Sequence, residues 1–154
     1  MRAIRHVGIV VSDMEEALGF FRDLLGLTVA RTLDEGGPYL AALLAIPGVR
    51  ATTVKLSADA GETMVELLKF HSPEARARDT REPSSLGLTH VAFTVADLEA
   101  LYARLTRAGV RFLSRPQRSP DGYVLVAFCY GPDDVLVELV EMLAARGDGG
   151  QGAA

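Results

Sequence analysis

Four residues of this chain, His6, Glu66, His90 and Glu138, have the types and the spacing to do chemistry together. Each is flanked by apolar, strand-forming residues: IRHVGIV, TMVELLKF, LTHVAFT and VLVELVE. On a strand, neighbours alternate faces, so Glu66 shares a face with Met64 and Leu68 and points away from Val65 and Leu67. Glu138 likewise shares a face with Leu136 and Val140. A carboxylate among such neighbours is costly to bury unless it is paired or bound to a cation. Taken singly, a strand histidine is most often a satisfied core or edge residue, and a strand glutamate most often faces solvent. Together they form a mixed nitrogen and oxygen donor set suited to Zn, Ni, Co, Mn or Fe(II).

The joint reading rests on an internal repeat. Residues 6–24, HVGIVVSDMEEALGFFRDL, align with residues 90–108, HVAFTVADLEALYARLTRA, at an offset of 84 residues. VELL at 65–68 and VELV at 137–140 then match as later landmarks in the same order. Such self-similarity is the signature of a duplicated unit.

The elements that must position the four residues follow from local pattern. Residues 4–11 are rich in Val and Ile and read as a strand. Ser12 or Asp13 can cap the helix that follows, with Glu15 and Glu16 favourable in its first turn. That helix runs to about Leu25, buries Ala17, Phe20, Phe21 and Leu24 on one face, and ends at Gly26. The second half repeats this with a strand at 88–95, a helix from about Asp97 to Ala108, and Gly109. Further strands are expected at about 27–33, 50–57 and 63–70, and again at 110–114, 122–130 and 134–141. Turn signals separate them, among them Asp59-Ala60-Gly61 and Gly131-Pro132-Asp133. Residues 39–46 have helical composition. The expected organisation is a βαβββ module at 1–70, a polar linker at 71–87, a second βαβββ module at 88–143 and a disordered tail at 144–154, an α+β chain.

Composition excludes several classes of function. The chain has 154 residues, 49% of them hydrophobic, and a net charge of -4. That suffices for a sizeable core and leaves no basic stripe for nucleic acid. No run of about 18 apolar residues is present, so no membrane span is expected. The N-terminus lacks the form of a secretory signal, which makes a cytoplasmic protein the default expectation. Cys129 is the single cysteine and sits in an apolar run, where a buried, inert thiol is expected.

The segments HVGIVVSDMEEALGFFRDLLGL, HVAFTVADLEALYARLTRAGV and GPDDVLVELVE resemble the motifs of the vicinal oxygen chelate superfamily, which includes glyoxalases, bleomycin resistance proteins and extradiol dioxygenases. The resemblance covers about residues 4–142. It implies two tandem βαβββ modules forming an open, curved mixed sheet around one divalent metal ion per site, held by His6, Glu66, His90 and Glu138. It also implies a small-molecule substrate and a homodimer. The order His, Glu, His, Glu is similar to bacterial glyoxalase I, which implies a lyase or isomerase that removes a proton next to a carbonyl of a 2-oxo thiohemiacetal or acyl thioester. Glu138 is then the base and Glu66 a possible second acid/base.

Other branches make different use of the same positions. Methylmalonyl-CoA epimerases commonly carry Gln at the first carboxylate and a glutamate in the middle of the first module, where the nearest acid here is Glu35 in a glycine-rich loop. Fe(II) ring-cleavage dioxygenases use two His and one Glu. Drug-binding resistance proteins lack the metal site and use aromatic grooves, whereas this chain has no Trp and keeps all four ligand types. Two polar contacts to glutathione in bacterial glyoxalase I fall at Val10 and Phe70. The usual Asp-Pro-Asp-Gly turn is Gly131-Pro132-Asp133-Asp134. Tyr39, Tyr123 and His71 follow or border turns and could reach a substrate, though rim or solvent positions suit them as well. Arg76, Arg78 and Arg81 form a basic cluster in the linker, balanced by Glu74, Asp79 and Glu82.

Overall fold

A computed structural model describes residues 3–76, 84 and 86–143. It is α+β, with two open four-stranded mixed sheets, each in its own compact unit. The linker arginines Arg78 and Arg81 and the expected tail at 144–154 lie outside the described residues.

The first unit takes in Met1–Gly87 and Gly131–Val135. Its sheet is built from β1 (His6–Val10), β2 (Thr28–Gly36), β3 (Arg50–Ser57) and β4 (Met64–Ser72), in the order β1-β4-β3-β2. β1 runs parallel to β4, and the other pairs are antiparallel. Helix α1 (Met14–Leu18) starts at Asp13, whose carboxylate accepts from the Glu15 and Glu16 amides at 2.8 and 3.0 Å. Those two bonds hold the Asp13 carboxyl below its usual range. The helix widens into a π turn over Gly19–Leu24 and stops at Gly26, at φ 82°. Met14, Ala17, Leu18, Phe20 and Phe21 are buried, and so are Ile9, Val11, Val54, Leu56, Val65 and Leu67. One face of the sheet is thereby covered and apolar. The other keeps Met64, Glu66 and Leu68 half-buried. α2 (Gly37–Leu44) opens on Pro38, as the helical composition of 39–46 anticipates.

The turn at Gly131–Val135 is bound into this unit. Asp133 accepts from the Ser12 amide at 2.8 Å. A Cβ on Gly131 would stand 3.1 Å from the ring of Phe20, so a side chain there would have to push that ring aside by a few tenths of an ångström. Asp133 and Asp134 have φ of 53° and 57°, the left-handed region that aspartate tolerates better than most residues. This is why a glycine is common at the last position of that turn.

The second unit takes in Leu88–Tyr130 and Leu136–Ala154. β5 (His90–Thr94), β6 (Gln117–Arg118), β7 (Val124–Tyr130) and β8 (Leu136–Met142) lie in the order β5-β8-β7-β6, with β5 parallel to β8. Helix α3 (Leu98–Arg107) is capped twice: Asp97 accepts from Ala100 at 2.9 Å, and Glu141 of β8 accepts from Leu98 at 2.7 Å. Glu141 thus binds the helix to the sheet face that carries Val137 and Leu139. Cys129 is buried on that face, and burial pushes its thiol up to about 12.

One expected strand is corrected. Residues 110–114 are not a strand; they touch β7 through a single bridge, Phe112 to Cys129, and regular pairing is confined to Gln117–Arg118. Pro116 has no N–H to give to a ladder, which interrupts pairing between the two places.

Candidate metal centre

The two units use one device. In the parallel pair β1/β4, Gly8 is the Cα partner of Glu66, and in β5/β8, Ala92 is the partner of Glu138. Each histidine lies two residues earlier on the same strand, so it shares a face with its glutamate. His6 Nε2 stands 3.2 Å from Glu66 Oε2, and His90 Nε2 stands 3.3 Å from Glu138 Oε2. The four residues singled out by sequence are thus brought together in twos, one pair within each unit. Among the described residues, no group of three or more His, Cys, Asp and Glu side chains gathers at one point.

The surroundings of the two pairs differ. Glu66 is 13% exposed, and its second oxygen, Oε1, lies 3.3 Å from the Lys55 ammonium, itself 22% exposed. Lys55 is the cross-strand partner of Glu66 on β3. At the same place beside Glu138, β7 presents Phe128. The Phe128 ring meets His90 edge-on, with centroids 5.4 Å apart. Thr89 Oγ1 lies 2.9 Å from His90 Nδ1, which leaves Nε2 for the carboxylate side. A partly exposed His and Glu whose Nε2 and Oε2 atoms approach each other are donors of the kind a divalent ion takes.

Lys55, Thr89 and Phe128 did not stand out in the sequence. Counting back from the Asp59-Ala60-Gly61 turn finds Lys55, because a hairpin centred there sets it opposite Glu66. Glu35 is corrected: it lies on β2, not in a loop. Its Cα partner is Ala51, which pairs in turn with Phe70, so Glu35 stands on the same face as Glu66. The buried Thr53 hydroxyl donates to Glu35 Oε2 at 3.0 Å.

The remaining candidates are peripheral. Tyr39 and Tyr123 are exposed, and Phe20 and Phe21 are core residues. His71 is the penultimate residue of β4 and is exposed; its Nε2 lies 2.8 Å from Thr52 Oγ1, which donates to Asp34 at 2.5 Å. Arg76 is exposed.

Comparison with known proteins agrees with this architecture. The family model described as Glyoxalase/Bleomycin resistance protein/Dioxygenase superfamily matches residues 3–139. A 2-epi-5-epi-valiolone epimerase from an Actinomyces species is 30% identical over 78% of this chain and 67% of its own length. A lactoylglutathione lyase from Schizosaccharomyces pombe is 26% identical over 89% of this chain, which spans 46% of that enzyme. A glyoxalase family protein of known structure from Bacillus cereus shares the fold with a TM-score of 0.86 at 22% identity, over 94% of this chain and 96% of that one.

Proposed function

Since this chain belongs to the glyoxalase/bleomycin resistance protein/dioxygenase superfamily, we propose that it is a divalent-metal-dependent lyase or isomerase that abstracts a proton next to a substrate carbonyl. The observation that carries this reading is the repeated pair, His6 with Glu66 and His90 with Glu138, set on one face by the same parallel register. These four residues would hold the ion, as a mixed donor set does for Zn, Ni, Co, Mn or Fe(II). When bound, the ion supplies Lewis-acid stabilisation of the negative charge that develops on the substrate's carbonyl oxygen.

The chain's own residues divide the remaining work. Glu66 has a partner at each oxygen, His6 at Oε2 and Lys55 at Oε1, and is thereby held in place. Among the described residues Glu138 has an ion pair at Oε2 alone and is the freer carboxylate. It is therefore the general base that takes the proton from carbon and returns it. His90, oriented by Thr89 and Phe128, keeps Glu138 aimed. A 2-oxo thiohemiacetal or an acyl thioester meets these requirements. Val10 and Phe70, on the face that carries Glu66, offer a substrate apolar contact and no hydrogen bond to a glutathione carboxylate. The working form is read as a homodimer.

Metal content by elemental mass spectrometry tests the centre. About one divalent ion per chain is expected in the wild type and none in a His6→Ala, Glu138→Ala double variant. A wild type that takes up no ion after exposure to Zn, Ni, Co and Fe(II) would refute the centre.

A two-base epimerase is the second reading, favoured by Glu35, the acid held on the Glu66 face by Thr53. Inverting a carbon centre takes a base on one side and an acid on the other. Glu35→Gln separates the two readings. It should lower epimerisation by about 10²-fold or more and leave a single-base isomerisation near the wild-type rate, both followed by exchange of the carbon-bound proton with deuterium from solvent.

A further inference from the structure

One transverse row of the first sheet carries cations that the equivalent row of the second lacks. Gly8, Glu66, Lys55 and Arg31 are successive Cα partners across β1, β4, β3 and β2. Cross-strand partners stand on the same face. The row therefore reads as no side chain, a carboxylate, an ammonium and a guanidinium. In the second unit the matching row is Ala92, Glu138 and Phe128, with no cation. Holding a carboxylate on this scaffold evidently does not require a lysine, because Phe128 occupies that place beside Glu138.

The cations of the first row exceed what Glu66 needs. Lys55 lies 3.3 Å from Glu66 Oε1, and an ammonium has three donors, so two remain. Arg31 is exposed, and among the described residues it has no hydrogen-bond or ion-pair partner. Its guanidinium carries five donors in a planar fork that fits two oxygens of one oxyanion. The next carboxylate along β2 on this face is Glu35, four residues on and about 13 Å away at the usual strand rise, where it accepts from Thr53.

We infer that Lys55 and Arg31 form an oxyanion-recognition row beside Glu66, so that the substrate carries a carboxylate or phosphoryl group close to the oxygens it offers the metal. The inference rests on the reading of Glu66 as a metal ligand only for where that group sits relative to the reacting carbon. Lys55 contributes a point charge shared with Glu66, and Arg31 contributes the two-pronged contact that distinguishes an acid from its ester or amide.

The test has two arms. In the first, inorganic phosphate and malonate are titrated separately into metal-free protein at low ionic strength, with lysine and arginine side-chain NMR signals as the readout. A saturable, millimolar-range shift at Lys55 and Arg31 is expected. It should be lost in Lys55→Met, Arg31→Met and largely retained in Lys55→Arg. The tighter of the two anions identifies the class of group. Arg31→Met alone, at an exposed position, should weaken binding several-fold without disturbing the backbone spectrum. No saturable shift, or the same shift in the double variant, would overturn the row.

In the second arm, zinc-loaded protein is given acetohydroxamate or succinic monohydroxamate. The wild type should prefer the acid by about tenfold, the effect of one good charge-assisted contact. The Arg31→Met variant should lose most of that preference while binding acetohydroxamate as before. An equal preference in both proteins would overturn the row. Failure of both hydroxamates to bind would count against the metal centre instead, and the phosphate and malonate titrations would then decide the row by themselves.

Discussion

Glu138→Gln should lower turnover by about 10²–10⁴-fold, the usual contribution of a positioned general base, while leaving the metal content near the wild-type value. Glutamine keeps the length of the side chain and one ligating oxygen, but it cannot accept the proton. The comparison therefore separates loss of the base from loss of the ion, which alanine would confuse. The assignment rests on the difference between the two carboxylates. Glu66 is engaged at both oxygens, by His6 at 3.2 Å and Lys55 at 3.3 Å. Glu138 is engaged by His90 at Oε2, beside the apolar Phe128. The measurement is the rate constant for the wild type's best thiohemiacetal or thioester, with metal quantified in the same samples. Retained turnover in Glu138→Gln, with loss in Glu66→Gln, would exchange the two roles.

The second large effect is on stability. Leu67 and Leu139 are fully buried and occupy equivalent places, each one residue after the carboxylate of its strand. Each points to the helix-covered face while its neighbouring glutamate points to the other. Leu67→Ala or Leu139→Ala should therefore cost about 2–5 kcal/mol, the lost transfer energy plus the cavity left behind. Against a typical total of about 5–15 kcal/mol, either change removes a large part of what holds the chain folded. Urea unfolding monitored by circular dichroism gives the number from the shift in midpoint. A loss under about 1 kcal/mol would mean that these leucines do not fill packed cores.

The two effects are linked through strand alternation. The register that buries Leu67 and Leu139 is the one that presents Glu66 and Glu138, and a slip of one residue would exchange them. Burial of two leucines thus enforces the aim of two carboxylates. This explains how a sheet can hold acidic groups on one face without a dedicated loop.

Much of this was legible in the amino-acid sequence. The repeat at an offset of 84 residues, the Asp-capped helices ending at Gly26 and Gly109, and the alternation around VELL and VELV are local signals. Each depends on residues within a turn or two of one another, so chain order alone reveals it. The α+β class and the choice of His6, Glu66, His90 and Glu138 follow from such signals. The expected strand at 110–114 failed because its residue types suit a strand, while continuous pairing also needed the donor that Pro116 lacks. Glu35 was misjudged as a loop residue because Gly36 and Gly37 lie beside it. The partner strand β3 nevertheless holds β2 extended through Gly36.

What only the tertiary structure decided is which side chains meet across strands. Lys55 and Arg31 lie 24 residues apart, and Lys55 and Glu66 are 11 apart, with nothing in the local composition to join them. The antiparallel registers β2/β3 and β3/β4 put all three in one row. Phe128 meets Glu138 by the same rule. Residue type determines what each group can do, and type is written in the sequence. Hydrogen-bond register determines which groups do it together, and register depends on how buried faces pack. The residue types of the four candidate ligands were therefore readable in advance, and the charge that surrounds each carboxylate was not.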